Sequence, residues 1–191
     1  MKRLTAFDLR KPILRSIDSA DLRSGDVAQF RGRGLIASWI RYATHGVHSH
    51  SGMIRVDCDN NVDLLEVREF IGGRAIPLGA AVTNAPGRID VFRPRRDRWP
   101  EYSTARAIDM MRLVTSRRYG YWGVARLALQ RIPFLWRLFP IDTRDVIDGR
   151  TMQAPFCSHA VAIACRAGGV DPVPRKPDYL VTPADLTWSL L

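Results

Sequence analysis

Residues 155–169, Pro-Phe-Cys-Ser-His-Ala-Val-Ala-Ile-Ala-Cys-Arg-Ala-Gly-Gly, decide how the chain reads. Pro155 in front and the Gly168-Gly169 pair behind bracket a helix. Within it Cys157, Ala160, Ala164 and Ala167 recur at spacings of three and four and share one face. Small residues there let the helix lie close on a sheet, with the Cys157 thiol at the N-terminal end. The first N–H groups of a helix have no internal partner and the macrodipole is positive, which favours thiolate. Thiols so placed titrate at roughly 3.5–7.5 instead of about 8.5. The same N–H groups suit the oxyanion of a tetrahedral intermediate. Cys157 is therefore a candidate nucleophile, with a buried structural cysteine as the alternative. Cys165, deep among alanines, reads as a packing residue, and Cys58 as incidental in a polar turn.

A thiol nucleophile needs a base, and three of the four histidines cluster in residues 45–53, His-Gly-Val-His-Ser-His-Ser-Gly-Met. On a strand, His48 and His50 would point to one face, and either could pair with a thiol. A surface histidine at a strand entrance is the ordinary reading of each. Metal binding by His45, His48, His50 and a distant cysteine is a weaker alternative, because no carboxylate or CxxC set completes the pattern. His159, two residues after Cys157 on the same helix, should face away and lie at the surface. Glu66, in the apolar run Leu64-Leu65-Glu66-Val67, either orients an imidazole on a neighbouring strand or points outward. Asp57 and Glu69 are weaker rivals for the orienting role.

Further out, Gly25-Asp26 reads as a turn into a strand at Val27 to Phe30. Leu35 to Tyr42 has helical spacing, with Leu35, Ile36, Trp39 and Ile40 on one side. Ser51 to Val56 and Val62 to Val67 are strands around the polar turn Asp57-Cys58-Asp59-Asn60-Asn61. Another strand is expected at Arg88 to Phe92, and helices at Pro100 to Thr115 and Tyr121 to Leu129. Thr182-Pro183-Ala184-Asp185 reads as a capped terminal helix with proline in its first turn. Strands first and helices after predict an α+β fold.

The chain has 191 residues, close to one domain, with 46% hydrophobic and 25% charged residues, ordinary for a globular protein. Residues 1–21 read as a lead-in and 22–191 as a single catalytic domain. Three cysteines without a CxxC pair exclude a zinc ribbon or a thioredoxin-like motif. The basic start lacks a secretory signal's apolar stretch, and no run approaches the roughly 18 apolar residues of a membrane span. The protein is thus expected to be cytoplasmic as synthesised, with delivery elsewhere requiring a non-standard route. The net charge of +10 is nearly all arginine, which suits an anionic polymer or membrane surface. The arginines are scattered and no nucleic-acid motif accompanies them, so a specific nucleic-acid partner is not expected.

Six segments in order carry a resemblance: Gly25-Asp26-Val27, Ser49-His50-Ser51-Gly52-Met53, Leu65-Glu66-Val67, Arg118-Tyr119-Gly120-Tyr121-Trp122-Gly123, Phe156-Cys157-Ser158-His159 and Thr182-Pro183-Ala184-Asp185-Leu186. Together they resemble the papain-like NlpC-type cysteine hydrolases in their circularly permuted form, typified by YiiX/YebB-like proteins and related to lecithin:retinol acyltransferase-like proteins. The unpermuted family places the cysteine helix before the Gly-Asp and Ser-His strands, and here the order is reversed. The resemblance implies a papain-like α+β fold with a small antiparallel sheet packed on the cysteine helix. It implies Cys157 as nucleophile, His50 and not His48 as base, and Glu66 as the residue orienting His50. It further implies Tyr119 near the cysteine, and Tyr119 and Ser158 as oxyanion or substrate contacts.

The expected function is acyl transfer without cofactor or metal. An amidase or peptidase acting on peptidoglycan-type or other peptide amides ranks first, and a lipid acyl hydrolase, acyltransferase or thioesterase second. Residues 121–139, apolar and dotted with arginines, suit an interfacial or acyl-binding segment, or ordinary core packing. A non-catalytic basic binding module is the third class, and the presence of both Cys157 and His50 argues against it.

Overall fold

Alternation along the central strands sorts the apolar side chains onto two faces: Met53, Leu65 and Val67 fall on one, Ile54 and Leu64 on the other. In a computed structural model, which describes residues 18–68, 71–85, 88–95, 97–116, 156–174 and 176–189, both faces are covered. The strands are β1 Val27–Phe30, β2 His50–Val56, β3 Val62–Arg68, β4 Gly72–Pro77 and β5 Ile89–Phe92. They form one antiparallel sheet in the order β4-β3-β2-β1-β5. The helices are α1 Leu35–Thr44, α2 Leu78–Asn84, α3 Thr104–Thr115, α4 Cys157–Ala167 and α5 Pro183–Thr187. The fold is α+β, with α1 and α2 set among the strands.

On one face Val27, Met53, Leu65 and Val67 pack with Ala107, Ile108, Met111 and Val114 of α3 and Ala160, Val161, Ala164 and Cys165 of α4. On the other, Ala28, Phe30, Ile54 and Leu64 pack with Leu78 and Ala81 of α2. Burying a side chain of this size contributes roughly 1.5–3 kcal/mol, so the two clusters hold the sheet from both sides. The helix α4 lies close because its buried positions are mostly small, as its sequence predicts.

Turn chemistry accounts for the element ends. The Asp57 carboxylate accepts the N–H groups of Asp59 and Asn61, and Asn60 takes a left-handed conformation, which closes the β2–β3 hairpin. Thr182 and Asp185 form a reciprocal capping box, with Pro183 in the first turn of α5. Ser103 caps α3, so that helix begins at Thr104 and not at the expected Pro100, which lies in the preceding turn.

Two elements were not foreseen. The strand β4 reads Gly-Gly-Arg-Ala-Ile-Pro, a composition poor in strand formers that is tolerated because the strand is at the sheet edge. Gly73 is required there: a Cβ would lie 1.8 Å from the Thr115 carbonyl oxygen, so the edge strand touches the α3 backbone directly. The short helix α2 follows from Pro77. The expected helix at residues 121–129 lies outside the described residues.

Candidate active site

His50 opens β2, paired with Phe30 of β1, whose ring lies 5.3 Å from the imidazole. Glu66 stands opposite Gly52 on β3, and Arg74 stands opposite Glu66 on β4. Strand periodicity puts His50, Gly52, Glu66 and Arg74 in phase, so their side chains form a row across three strands. A Cβ at position 52 would come within 2.8 Å of Leu64 and 3.3 Å of the Glu66 Cβ, so glycine leaves room for the row.

Within the row the bonds are short. The His50 Nε2–H donates to Glu66 Oε2 at 2.6 Å. Arg74 donates to Glu66 Oε1 through Nε at 2.7 Å and also through a terminal nitrogen. Glu66 is 1% exposed, so the outward-facing alternative does not hold. Burial raises the Glu66 pKa, but His50 and Arg74 more than reverse this and hold it at about 2.

Cys157 is the first residue of α4, with Phe156 as N-cap, and both are buried. Cys157 is near enough to the His50 imidazole to be the strongest influence raising the pKa of that group. Burial lowers the His50 pKa, while Cys157 and then Glu66 raise it, and the outcome is about 10. Since Nε2 is committed to Glu66, Nδ1 is the nitrogen left for the sulfur. That atom is buried and has no aligned hydrogen-bond partner among the described residues. The fold therefore gathers Cys157, His50 and Glu66 from three separate elements, in the order sulfur, imidazole, carboxylate.

Other candidates are placed differently. Ser158 is fully buried and its hydroxyl donates to the Val181 carbonyl at 2.7 Å, so the side chain ties α4 to the chain before α5 instead of facing a substrate. The Ser158 N–H, like those of Cys157 and His159, belongs to the first turn of α4, where a helix supplies no internal partner. Tyr119 lies outside the described residues, as do Glu69 and residues 121–139. Asp57 is spent on the hairpin turn.

His48 does not share a face with His50, because it precedes β2 and strand alternation begins only at His50. Fully buried, it bonds Asp90 on β5 at 2.5 Å and Thr187 on α5 at 2.8 Å. His159 is not a surface group: it is half-buried, packs on the Phe156 ring, and burial lowers its pKa to about 4. His45 takes the left-handed conformation that ends α1. Burial pushes the Cys165 thiol up to about 12, in keeping with a packing role, and Cys58 is exposed in its turn. Among the described residues no cluster of three or more His, Cys, Asp or Glu is arranged to hold a metal ion.

Arg74 was missed in the sequence. Its signal is faint, one arginine in a glycine-rich run, and becomes legible only once β4 is aligned with β3.

No protein-family model matches the chain, and no curated protein matches it. Among solved structures the chain is similar to the metalloprotein YiiX of Escherichia coli O157:H7, DUF1105, at 17% identity and a TM-score of 0.46, over 78% of this chain and 68% of that one.

Proposed function

We propose that the chain is a cysteine hydrolase of the permuted papain-like, NlpC-type kind, which transfers acyl groups through Cys157. One observation carries the reading: His50 bonds a buried, ionised Glu66 through Nε2, and Cys157 is near enough to raise the pKa of the same imidazole. A basic imidazole anchored by a carboxylate on one nitrogen and open to a thiol on the other is what a thiolate–imidazolium pair requires.

In the proposed cycle the Cys157 sulfur attacks the substrate carbonyl carbon. The oxygen becomes an oxyanion facing the N–H groups of the first turn of α4. The imidazolium of His50 gives its Nδ1 proton to the leaving nitrogen or oxygen as that bond breaks, leaving a thioester on Cys157. Water then loses a proton to His50 and attacks the thioester, which releases the acid and restores the pair. Glu66 keeps the imidazole in one orientation and stabilises its positive charge throughout.

Peptide amides, including those of peptidoglycan type, are the first substrate class. Lipid acyl esters are the second, favoured by the exposed apolar helix α1 that leads into His50.

The test compares wild type with Cys157→Ala on muropeptides, short acyl esters and phospholipid vesicles. Iodoacetamide labelling in a Cys58→Ser background reads Cys157 alone, because burial pushes the Cys165 thiol up to about 12 and keeps it protonated. His50→Ala should slow labelling of Cys157 by roughly a hundredfold, the scale of a lost acid–base partner. Labelling unchanged by that substitution, with no turnover of any substrate, would leave a binding module as the better description.

A further inference from the structure

The helix α1 turns its large apolar residues toward solvent. Leu35, Ile36, Trp39 and Tyr42 are 91%, 47%, 43% and 79% exposed. At positions i, i+1, i+4 and i+7 they form one stripe along the helix. Eight large apolar side chains are exposed among the described residues, and four of them are on this one helix. No residue of α1 is buried. Its less exposed positions are Ala37, Ile40, Arg41, Ala43 and Thr44: Ala37 meets the chain at Gly32, and Arg41 reaches back to the Gly32 carbonyl.

Charge within the segment that carries the stripe has one sign. From Val27 to Val56 the sequence contains no Asp or Glu, while Arg31 and Arg33 precede the helix and Arg41 lies in its last turn. Arg31 is paired with Asp90. Arg33 and Arg41 make no ion pair with a carboxylate among the described residues. An exposed Trp, Tyr, Leu and Ile stripe with arginines beside it matches the interfacial anchors of membrane-surface proteins, whose cations meet anionic headgroups. The chain's net charge of +10 adds long-range attraction to the same surface.

A second copy of the chain fits less well. The stripe lies on a ten-residue helix, about 15 Å long, whereas a stable dimer buries about 800 Å² on each side. The unpaired arginines would also meet their own kind.

We propose that α1 is the docking face for an anionic phospholipid surface. Leu35, Ile36, Trp39 and Tyr42 enter the headgroup–acyl boundary, and the exposed Arg33 contacts lipid phosphates. The helix joins Phe30, the last residue of β1, to His50, the first of β2, and those two residues are paired. Docking therefore brings the His50 end of the sheet to the bilayer. That consequence for substrate choice rests on the thiol chemistry proposed above, whereas lipid binding itself does not.

The experiment is vesicle flotation of the full chain carrying Cys157→Ala, so that turnover plays no part. One set of vesicles is phosphatidylcholine with phosphatidylserine, the other phosphatidylcholine alone. The protein should float with the first set, and added salt should release it as screening grows. The triple variant Leu35→Ser/Trp39→Ser/Tyr42→Ser should lose at least about tenfold in partitioning. Leu35→Ser alone, at the most exposed position, should lose severalfold with no change in thermal midpoint, which guards against misfolding of the triple variant. Arg33→Glu should weaken binding to the anionic vesicles. Three results would overturn the proposal: no flotation of the parent, equal flotation of parent and triple variant, or a parent dimer that the triple variant turns into monomer without any vesicle binding. Flotation that persists while wild type hydrolyses no acyl substrate would count against the thiol chemistry and leave the docking face standing.

Discussion

Glu66 holds His50 at 2.6 Å with one carboxylate oxygen and Arg74 with the other, at a position 1% exposed to solvent. A carboxylate buried between two cations stays ionised, and its charge adds to the larger influence of Cys157 in keeping the imidazole protonated to high pH. The orientation and basicity of His50 thus depend on a residue that never meets the proposed substrate.

Glu66→Gln keeps the shape of that contact and removes its charge. The His50 pKa should fall from about 10 toward its ordinary 6.5, read by NMR titration of the imidazole. Labelling of Cys157 should slow by at least about tenfold. Gln in place of Glu with both quantities unchanged would show that Glu66 only fills space.

Arg74→Met leaves a buried carboxylate with one cation in place of two. A hydrogen bond to a charged group is worth roughly 1.5–3 kcal/mol, and a loss of that size is expected in chemical denaturation. The His50 pKa should rise or hold, since Glu66 then has only the imidazole to pair with. This separates a positioning arginine from one that contacts substrate, whose loss would raise KM and spare stability.

Ser158→Ala removes the donor to the Val181 carbonyl while keeping every N–H of the first turn of α4. Leaving a buried acceptor unmatched costs about 1–3 kcal/mol, so unfolding should be easier by that amount. The rate of Cys157 labelling should stay within about twofold of wild type once folded protein is compared. A hydroxyl that contacted substrate would show the opposite pattern.

Stability should peak near pH 6.5. Above that value the unfolded chain has lost the proton that folded His50 keeps to about 10, so stability falls as pH rises through this window. Below it the unfolded chain protonates at His159 while the folded protein resists to about 4, so stability falls as pH drops. Glu66, held at about 2 against an ordinary 4.5, contributes stability that is lost at still lower pH. Urea denaturation across the range checks the curve, and His159→Gln should flatten it between about pH 4 and 6.5.

Gly73→Ala places a methyl group against the Thr115 backbone, where neither side can yield cheaply. Overpacking of this kind costs about 1–3 kcal/mol or more, and thermal unfolding should shift accordingly. Because β4 carries Arg74, displacement of the strand should move the His50 pKa in the same direction as Arg74→Met, upward if it moves at all.

Positions of most elements are legible in the chain itself, because they rest on local chemistry. Alternation marks β2 and β3, Asp57 and Asn60 mark their hairpin, and Gly168-Gly169 ends α4. The Thr182–Asp185 box starts α5. The same local logic puts Cys157 at a helix N-terminus. What the strand run Leu64-Leu65-Glu66-Val67 does with its acid, and which of His48 and His50 meets a thiol, depend on neighbours far away in sequence. Register decides both: pairing Gly52 with Glu66 and Glu66 with Arg74 fixes the row, and the late start of β2 sends His48 to Asp90 instead. An edge strand built from Gly-Gly-Arg has no periodic signal of its own, so Arg74 could be found only after the sheet was assembled. The outward apolar face of α1 is likewise a tertiary fact, since helical spacing shows that a stripe exists and only packing shows which way it turns.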